Sequence, residues 1–587
     1  MSGIAGAFSE LFDGGTGFVT VTRYILPLLS VWILVRCMRS ALSFRYEPET
    51  WGYITLPDGS MVPLRHWECI LGRSKFSDVV VSYPDVSRTH AAIRRAPAGG
   101  WTVTDVRSSG GTYVNGCPVD GTAELPDGAE LCLAGTKLRF SELSEEARGT
   151  LAMTRSDPSR RIRPWVTFVL LSFVQFILAG QHAVSGGEDV EAVTLAFDAL
   201  AAIMWCYFFV MRAIHRTGFE VEQLAFFLTT LGMSVAASSV PETMLKQIIL
   251  LLCGVVLFLI LGWWLRDLRR TRAMRWPAAI AAIGLLGLNL LLSEEVFGAR
   301  NWLSIGGVSL QPSEFVKIAY IYAGAATLDR LYKGRNLFMF IGFSAVCVGA
   351  LALMGDFGTA LVFFVTFLVI SFMRSGNIAT VFLAVAGAGL AGFLALTAKP
   401  HIAQRFAAWG NVWNDAYGAG YQQTRAMSAA ASGGLFGMGA HRGWLHGIVA
   451  ADTDMVFGVL CEELGLITAM CAVLAVLALA FFAVRSAAQG RSSYYVIAAC
   501  AASTVMLVQL GLNVFGSMDI LPFTGVTFPF VSRGGSSLIS CWALLAFIKS
   551  SDTRQNASFV VKPPSKYCGD EETEDGSSDI GGEAEEI

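Results

Sequence analysis

From residue 164 to residue 550 the sequence returns repeatedly to apolar runs of about twenty residues, the length that crosses the hydrocarbon core of a bilayer. Such runs fall near 164–181, 190–212, 222–239, 245–265, 277–293, 312–330, 337–354, 358–374, 378–397, 455–484, 493–515 and 533–550. In lipid each run has to satisfy its own backbone hydrogen bonds, so the runs read as helices. An earlier run, 17–35 (GFVTVTRYILPLLSVWILV), is followed by Arg36, Arg39 and Arg45 and by no small-residue cleavage pattern. Residues 1–45 therefore read as a retained membrane anchor rather than a secretory signal peptide. The total is about thirteen spans. Composition agrees: 54% of the chain is hydrophobic and 15% charged, where soluble domains carry about 25% charged residues.

The loops test this reading. Basic loops fall at 155–163, 212–216, 266–275, 329–335, 373–377 and 485–491, and strict alternation of the helices puts them all on one side. The positive-inside bias makes that side cytosolic. The opposite side receives 185–191, 294–311, Gly355–Asp356 and the long aromatic, glycine-rich segment 398–454. The expected location is the cytoplasmic (inner) membrane, multi-pass, with the C-terminus in the cytosol. The acidic, Gly/Ser-bearing tail 552–587 predicts disorder. A net charge of −3 gives no reason to expect nucleic-acid binding. The twelve cysteines form no CxxC pair or Cys/His cluster, so neither a zinc site nor a disulfide framework is indicated.

Residues 51–145 differ in kind. Short β-rich runs (GYITL, DVVVS, HAAIRR, WTVTDV, GTYVNG, ELCLAG) are separated by Gly, Pro, Asp and Ser, which predicts a small antiparallel sandwich on the cytosolic side. The fold class is multi-domain: a polytopic α-helical membrane protein with a cytosolic all-β sandwich. Within the sandwich, Leu71-Gly72-Arg73-Ser74, Ser87-Arg88-Thr89-His90 and Asp105 to Gly116 offer a guanidinium fork and hydroxyl donors on loops, groups suited to a dianionic phosphate. This set resembles the forkhead-associated (FHA) family. The resemblance implies that Arg73 and Ser87 contact phosphothreonine, that Arg88 and Ser109 assist, that His90 braces the loop, and that the partner is a phosphothreonine-bearing protein. One position departs: Gly110 stands where the family usually has Asn. The alternative is a sandwich kept for protein contacts with its phosphate site lapsed.

Four blocks in the membrane portion carry polar chemistry. The first runs from Gly298 to Lys317 and holds Arg300, Trp302, Gln311, Glu314 and Lys317. Glu314 and Lys317, three apart, share a helix face and can pair. Ionisable groups in an apolar span suggest function, and a structural ion pair that fixes helix positions is the alternative. The second block is Gly355-Asp356-Phe357-Gly358. The third holds Gln422, Gly433, Gly434, Gly437 and Gly439, and runs on to Asp452-Thr453-Asp454 and Glu462-Glu463. The fourth is Pro522 to Ser537, with Ser532, Arg533, Gly534, Gly535 and Ser536 in a re-entrant-looking loop. Irregular Gly/Ser backbone at membrane depth lines a cavity or is buried in protein, and its N–H groups can cradle a diphosphate.

Together, and in this order, the blocks resemble the SEDS family (shape, elongation, division and sporulation; the FtsW/RodA/SpoVE type) over roughly 277–550, within a membrane domain placed at 164–550. The resemblance implies a peptidoglycan glycosyltransferase that polymerises lipid II, an undecaprenyl-diphosphate-linked precursor, beside a class B penicillin-binding protein. It makes Asp454 the catalytic acid. As a carboxylate, Asp454 can act as general base toward an acceptor hydroxyl. It can also cap the 455–484 helix.

The substrate-binding set is Arg300, Trp302, Gln311, Glu314, Lys317, Asp356, Gln422, Gly433, Gly434, Ser532, Gly534, Gly535 and Ser536. Cations for a diphosphate leaving group are Arg300 and Lys317 first, then Arg405, Arg425, Arg442 and Arg533. Glu462, about two turns further along the helix from Asp454, reads as structural. Asp452 beside Asp454 either raises the pKa of one acid or attracts a divalent cation; no cofactor is otherwise required. Two rival functions remain: a lipid II flippase, and an inactive scaffold that recruits phosphorylated partners.

Overall fold

The computed structural model describes residues 16–43, 49–75, 77–96, 99–144, 146–147, 162–186, 189–293, 300–305, 308–328, 334–375, 378–398, 406–554 and 557. The expected tail beyond 557, Arg405 and the start of the first polar block lie outside the described residues.

The chain opens with helix α1 (Thr16–Ser43). Far from standing apart as an anchor, it is built into the bundle. Leu26, Ile33 and Cys37 are buried in the same core as the later spans, and Thr22 Oγ1 accepts a hydrogen bond from Gln181 Nε2 at 2.8 Å.

A β-sandwich follows: β1 (Gly52–Thr55), β2 (Met61–Leu64), β3 (Glu68–Gly72), β4 (Val79–Val80), β5 (Ala91–Arg95), β6 (Trp101–Asp105), β7 (Thr112–Val114), β8 (Cys117–Pro118), β9 (Thr122–Leu125), β10 (Glu130–Leu133) and β11 (Thr136–Glu142). One sheet has the order β2-β1-β11-β10-β7-β8 and the other β4-β3-β5-β6-β9. All pairings are antiparallel except β3 with β4. Alternating side chains (Ile54, Leu71, Ile93, Val103, Leu131, Phe140) fill a separate core between the sheets.

The membrane body comprises α2 (Pro164–Val184), α3 (Val190–Ala213), α4 (Glu220–Ser239), α5 (Met244–Trp264), the short α6 (Leu268–Ala273) and α7 (Arg275–Leu292). A hairpin of β12 (Leu303–Ile305) and β13 (Val308–Leu310) leads into α8 (Pro312–Leu328), α9 (Gly334–Leu353), α10 (Phe357–Ser375) and α11 (Ile378–Ala398). The segment after α11 holds α12 (Tyr421–Gly433), and α13 (Val456–Ala487), α14 (Ser493–Ser517) and α15 (Gly535–Ser550) complete the fold. Every expected span coincides with a helix. Among the described residues, nine helices are long and apolar enough to cross a membrane, and the chain is a multi-pass membrane protein. Helices α4 and α15 are buried almost all round and form the centre. Lys549 of α15 meets Glu222 of α4 at 3.1 Å, and Tyr207 of α3 donates to the same carboxylate at 2.9 Å. Buried charge is tolerated there because it is paired.

The 455–484 run carries a break that the sequence reading did not anticipate: α13 is interrupted at Gly465, whose φ of 86° and ψ of 157° leave the helical region. The N–H groups freed by the break are satisfied from outside: Leu466 donates to Gly434 O at 3.0 Å and Ile467 to Leu435 O at 3.3 Å.

The sandwich docks on the end of the bundle that carries the basic loops 266–275 and 485–491. Glu68 is the hub. Its carboxylate accepts from Arg272 at 3.0 Å, from Ser492 Oγ at 3.2 Å and from the Ser493 N–H at the start of α14 at 3.1 Å. Arg491 forks onto Glu49 at 2.5 and 2.6 Å, and the Trp67 N–H donates to Arg491 O at 2.6 Å. Asp454 precedes α13 and this contact follows it. Past the break at Gly465 the rest of α13, residues 466–487, is still roughly 33 Å long at 1.5 Å per residue, more than the ~30 Å hydrocarbon core. Asp454 and the sandwich thus lie at opposite ends of a helix long enough to cross a bilayer.

Candidate active site

The segment before α13 turns tightly. Ala450 takes a left-handed φ of 63°, and its carbonyl accepts from Thr453 N at 3.3 Å and Asp454 N at 2.9 Å. Met455 is the N-cap of α13, so Asp454 sits one residue before the cap and not at it, where the alternative reading of the sequence had placed it. The residue is half-buried.

The loop between α14 and α15 closes over this turn. Asn513 Nδ2 donates to Val526 O at 2.9 Å, Asp454 O at 3.1 Å and Thr453 O at 3.4 Å. Ser532 Oγ donates to Thr453 O at 2.6 Å and accepts from Phe528 N at 2.8 Å. Gly525, at φ +68°, lies against Asp454, and a Cβ there would stand 3.1 Å from Asp454 Oδ2. Arg533 pairs with Asp452 through its side chain and donates its N–H to Asp452 O at 2.8 Å. The second acid is therefore matched to a guanidinium within the protein, which answers the repulsion expected between Asp452 and Asp454. Among the described residues no group of three or more His, Cys, Asp or Glu is placed to hold a metal ion.

The other blocks adjoin this loop. Gly358 packs on it so closely that a Cβ would fall 2.5 Å from Val526. The Gln311 N–H points to Ser536 Oγ at 3.4 Å, and Thr527 and Ser537 share a hydroxyl hydrogen bond of 3.0 Å. Gly534 is the N-cap of α15, and Gly535 abuts Leu250. Glu314 and Lys317 form a 2.7 Å ion pair, 3% and 2% exposed, which leaves little access for a ligand. Asp356 caps α10 by accepting from Thr359 N at 3.0 Å. Arg300 and Trp302 are exposed, and the Arg300 N–H donates to Met354 O, two residues before Asp356.

The glycines of the third block have a packing role. A Cβ at Gly433 would fall 2.0 Å from Cys461 O, and one at Gly437 2.3 Å from Glu463 O. The Met438 and Gly439 N–H groups donate to Glu462 O and Glu463 O at 2.9 Å. Gly433 and Gly437 thus press backbone on backbone at the break in α13, and Gly434, with open space around its Cα, serves there through its carbonyl, which accepts from Leu466 N. Glu462 accepts from Trp444 N and Leu445 N at 3.0 Å, the structural role expected of it. Gln422 reaches Val449 O at 3.4 Å. Arg425 stacks over Tyr417 and Tyr421, and Arg442 is half-buried beside Gly439.

Sequence reasoning missed Asn513 and also Gln509, whose side-chain amide donates to Thr527 Oγ1 at 3.3 Å, and it included Gly525 in the fourth block without giving it a role. A polar side chain inside an apolar span was the available signal for Asn513 and Gln509.

A second site lies on the sandwich. His90, buried, accepts from Ser87 N at Nδ1 (3.1 Å), which leaves Nε2–H to donate to Gly111 O at 3.0 Å. One neutral imidazole therefore ties both loops. Ser87 and Ser109 hydroxyls lie 3.0 Å apart, with Arg73 and Arg88 exposed beside them. Arg73 also donates to Pro84 O at 3.1 Å. Asp105 organises the second loop. Partial burial works against its ionised form, but hydrogen bonds from Ser108 and Thr112 hold the carboxyl below the ordinary carboxylate value. At Gly110 a Cβ would come 2.2 Å from that of Ala134, so Ala134 occupies the space an asparagine would need.

The FtsW/RodA/SpoVE profile, described as a cell cycle protein, matches residues 204–557. The chain belongs to the FtsW/RodA/SpoVE family. An FHA domain profile matches residues 69–134. Among relatives of the family, the peptidoglycan glycosyltransferase RodA of Mycobacterium tuberculosis is 27% identical over 322 residues, 52% of this chain and 69% of the relative. Stage V sporulation protein E of Bacillus subtilis is 33% identical over 252 residues, 41% of this chain and 68% of the relative. A solved chain described under structural coordination of polymerization and crosslinking by a peptidoglycan synthase complex is 25% identical. That match covers 56% of this chain and 95% of the solved one, with a TM-score of 0.48. Helices α1 and α2 and most of α3 precede the stretch that the FtsW/RodA/SpoVE profile covers.

Proposed function

We propose that this FtsW/RodA/SpoVE protein is a peptidoglycan glycosyltransferase that polymerises lipid II on the outer face of the cytoplasmic membrane, for elongation or division. The observation that carries the reading is the half-buried Asp454. Asn513 fixes its backbone, and it lies at the end of α13 remote from the basic loops. With the positive-inside bias those loops face the cytosol, and Asp454 faces the side where the wall grows.

In the reaction a sugar 4-hydroxyl attacks the anomeric carbon that bears the lipid diphosphate. The new C–O bond forms as the bond to the diphosphate oxygen breaks, with inversion. Asp454 takes the hydroxyl proton, and the diphosphate leaves with the bond's electron pair. General-base help of this kind contributes about 10²–10⁴-fold. The exposed Arg300 is the cation best placed to meet the diphosphate. Glu314 and Lys317, enclosed as a pair, hold α8 in place. A class B penicillin-binding protein is the partner that crosslinks the strands.

The FHA domain, on the cytosolic side in this orientation, recruits a phosphothreonine-bearing protein through Arg73, Ser87, Arg88 and Ser109. Incubation of the purified chain with lipid II tests the enzyme. Polymer from wild type and none from Asp454→Asn supports it, lipid movement without polymer supports a flippase, and neither activity supports a scaffold. Retention of a phosphothreonine peptide by Arg73→Ala would overturn the FHA assignment.

A further inference from the structure

A cavity of about 390 Å³ opens where α1 ends and α2 and α4 begin, with the end of α3 completing its wall. Arg36, Arg163 and Arg212 line it together with Trp165, Phe208 and Glu220. Its volume falls in the range of small-ligand sites. The cavity owes two of its arginines to segments before residue 204, so it belongs to the part of this chain that precedes the FtsW/RodA/SpoVE match.

Three guanidinium groups around one cavity repel one another unless an anion joins them. Among the described residues none of the three meets a carboxylate within ion-pair distance. Arg36 donates to Thr167 Oγ1 at 3.2 Å and to Arg163 O at 3.0 Å, both neutral acceptors. The one acid in the lining does not compensate them. Glu220 accepts two hydrogen bonds from Arg554 at 3.1 Å and one from Ser40 at 2.6 Å; Arg554 also pairs with Asp552, and even a fully ionised Glu220 offsets at most one of the three arginines, so the lining stays cationic.

The walls also place the cavity at the membrane surface. It is built from the ends of four helices long enough to span a bilayer. Trp165, 47% exposed on its rim, is a residue type that settles at headgroup level. Basic pockets between membrane helices on the cytosolic side suit phosphate-bearing lipid heads. We propose that this cavity binds the phosphate of an anionic lipid headgroup, at the point where the chain leaves the membrane for the FHA domain and re-enters it. The assignment does not depend on the enzymatic reading.

Native mass spectrometry of the purified full chain, titrated with phosphatidylglycerol or phosphatidylcholine, tests it. Wild type should retain phosphatidylglycerol in preference to phosphatidylcholine. Each surface arginine is worth roughly fivefold in binding to an anionic lipid, so Arg163→Gln/Arg212→Gln should weaken phosphatidylglycerol binding by at least about tenfold and leave phosphatidylcholine unchanged. This pair spares Arg36, whose hydrogen bonds join α1 to α2. If the double variant fails to fold, Arg212→Gln alone, at an exposed position, carries the test. Equal retention of the two lipids by wild type, or undiminished phosphatidylglycerol binding by the variant, overturns the proposal. Inorganic phosphate that binds as tightly as the lipid, and displaces it, would instead identify a soluble phosphate and overturn the lipid assignment.

Discussion

The side-chain amide of Asn513 bridges two loops that are distant in sequence, donating to Asp454 O at 3.1 Å and Val526 O at 2.9 Å. A buried amide that serves two carbonyls at once fixes the distance between the turn that carries Asp454 and the loop that faces it.

Asn513→Leu should therefore damage catalysis more than folding. Two or more buried carbonyls would lose their donor, at about 1–3 kcal/mol, and misplacement of the base by about an ångström costs roughly 100-fold. The expected outcome is a folded protein with a modestly lower Tm and polymerisation of lipid II reduced by about two orders of magnitude. Turnover and thermal unfolding on one preparation check it.

Gly525→Ala presses a methyl group to 3.1 Å from Asp454 Oδ2 and places a non-glycine residue at φ +68°, which costs about 1–2 kcal/mol. Polymerisation should fall while binding of a phosphothreonine peptide to the FHA domain stays unchanged. Loss of both would indicate global unfolding instead.

On the sandwich, Gly110→Asn restores the residue usual in the FHA family but overpacks Ala134, at about 1–3 kcal/mol. Ala134 itself takes a left-handed φ of 47°. Adding Ala134→Gly should relieve both the clash and the backbone strain, so the double variant should be more stable than Gly110→Asn alone. Thermal unfolding of the three proteins measures this.

The pH dependence of the segment between α12 and α13 should centre on His446. The Glu463 carboxylate, 3.3 Å from its Nδ1, raises the imidazole above its ordinary value, against burial that lowers it. A raised folded pKa means that this contribution is complete below the ordinary pKa of about 6.5 and is lost as pH rises through the folded value. Wild type should lose Tm between mildly acidic and alkaline pH more steeply than His446→Gln. Parallel slopes would refute this assignment.

Glu68→Ala removes the acceptor for Arg272, Ser492 and Ser493. Hydrogen exchange should accelerate at the start of α14 and along β3, where the sandwich meets the bundle, with the sandwich core still protected. Unchanged exchange at Ser493 would show that the contact does not hold the two parts together.

The spans and the sandwich were legible in the sequence because each rests on local pattern. Twenty apolar residues leave the backbone no alternative to a helix in lipid, and short β-rich runs between turn residues leave little alternative to strands. Asp454 and His90 were likewise singled out by motifs that keep their order along the chain. Tertiary structure alone decided what surrounds them. That Arg533 matches Asp452, that Gly433 and Gly437 seat the break at Gly465, that Asn513 holds Asp454, and that Arg36, Arg163 and Arg212 line one cavity all depend on helices far apart in sequence packing side by side. Hydropathy fixes where a helix runs in the bilayer but not which neighbour each face meets. That choice is made by close packing and by the need to pair every buried polar group.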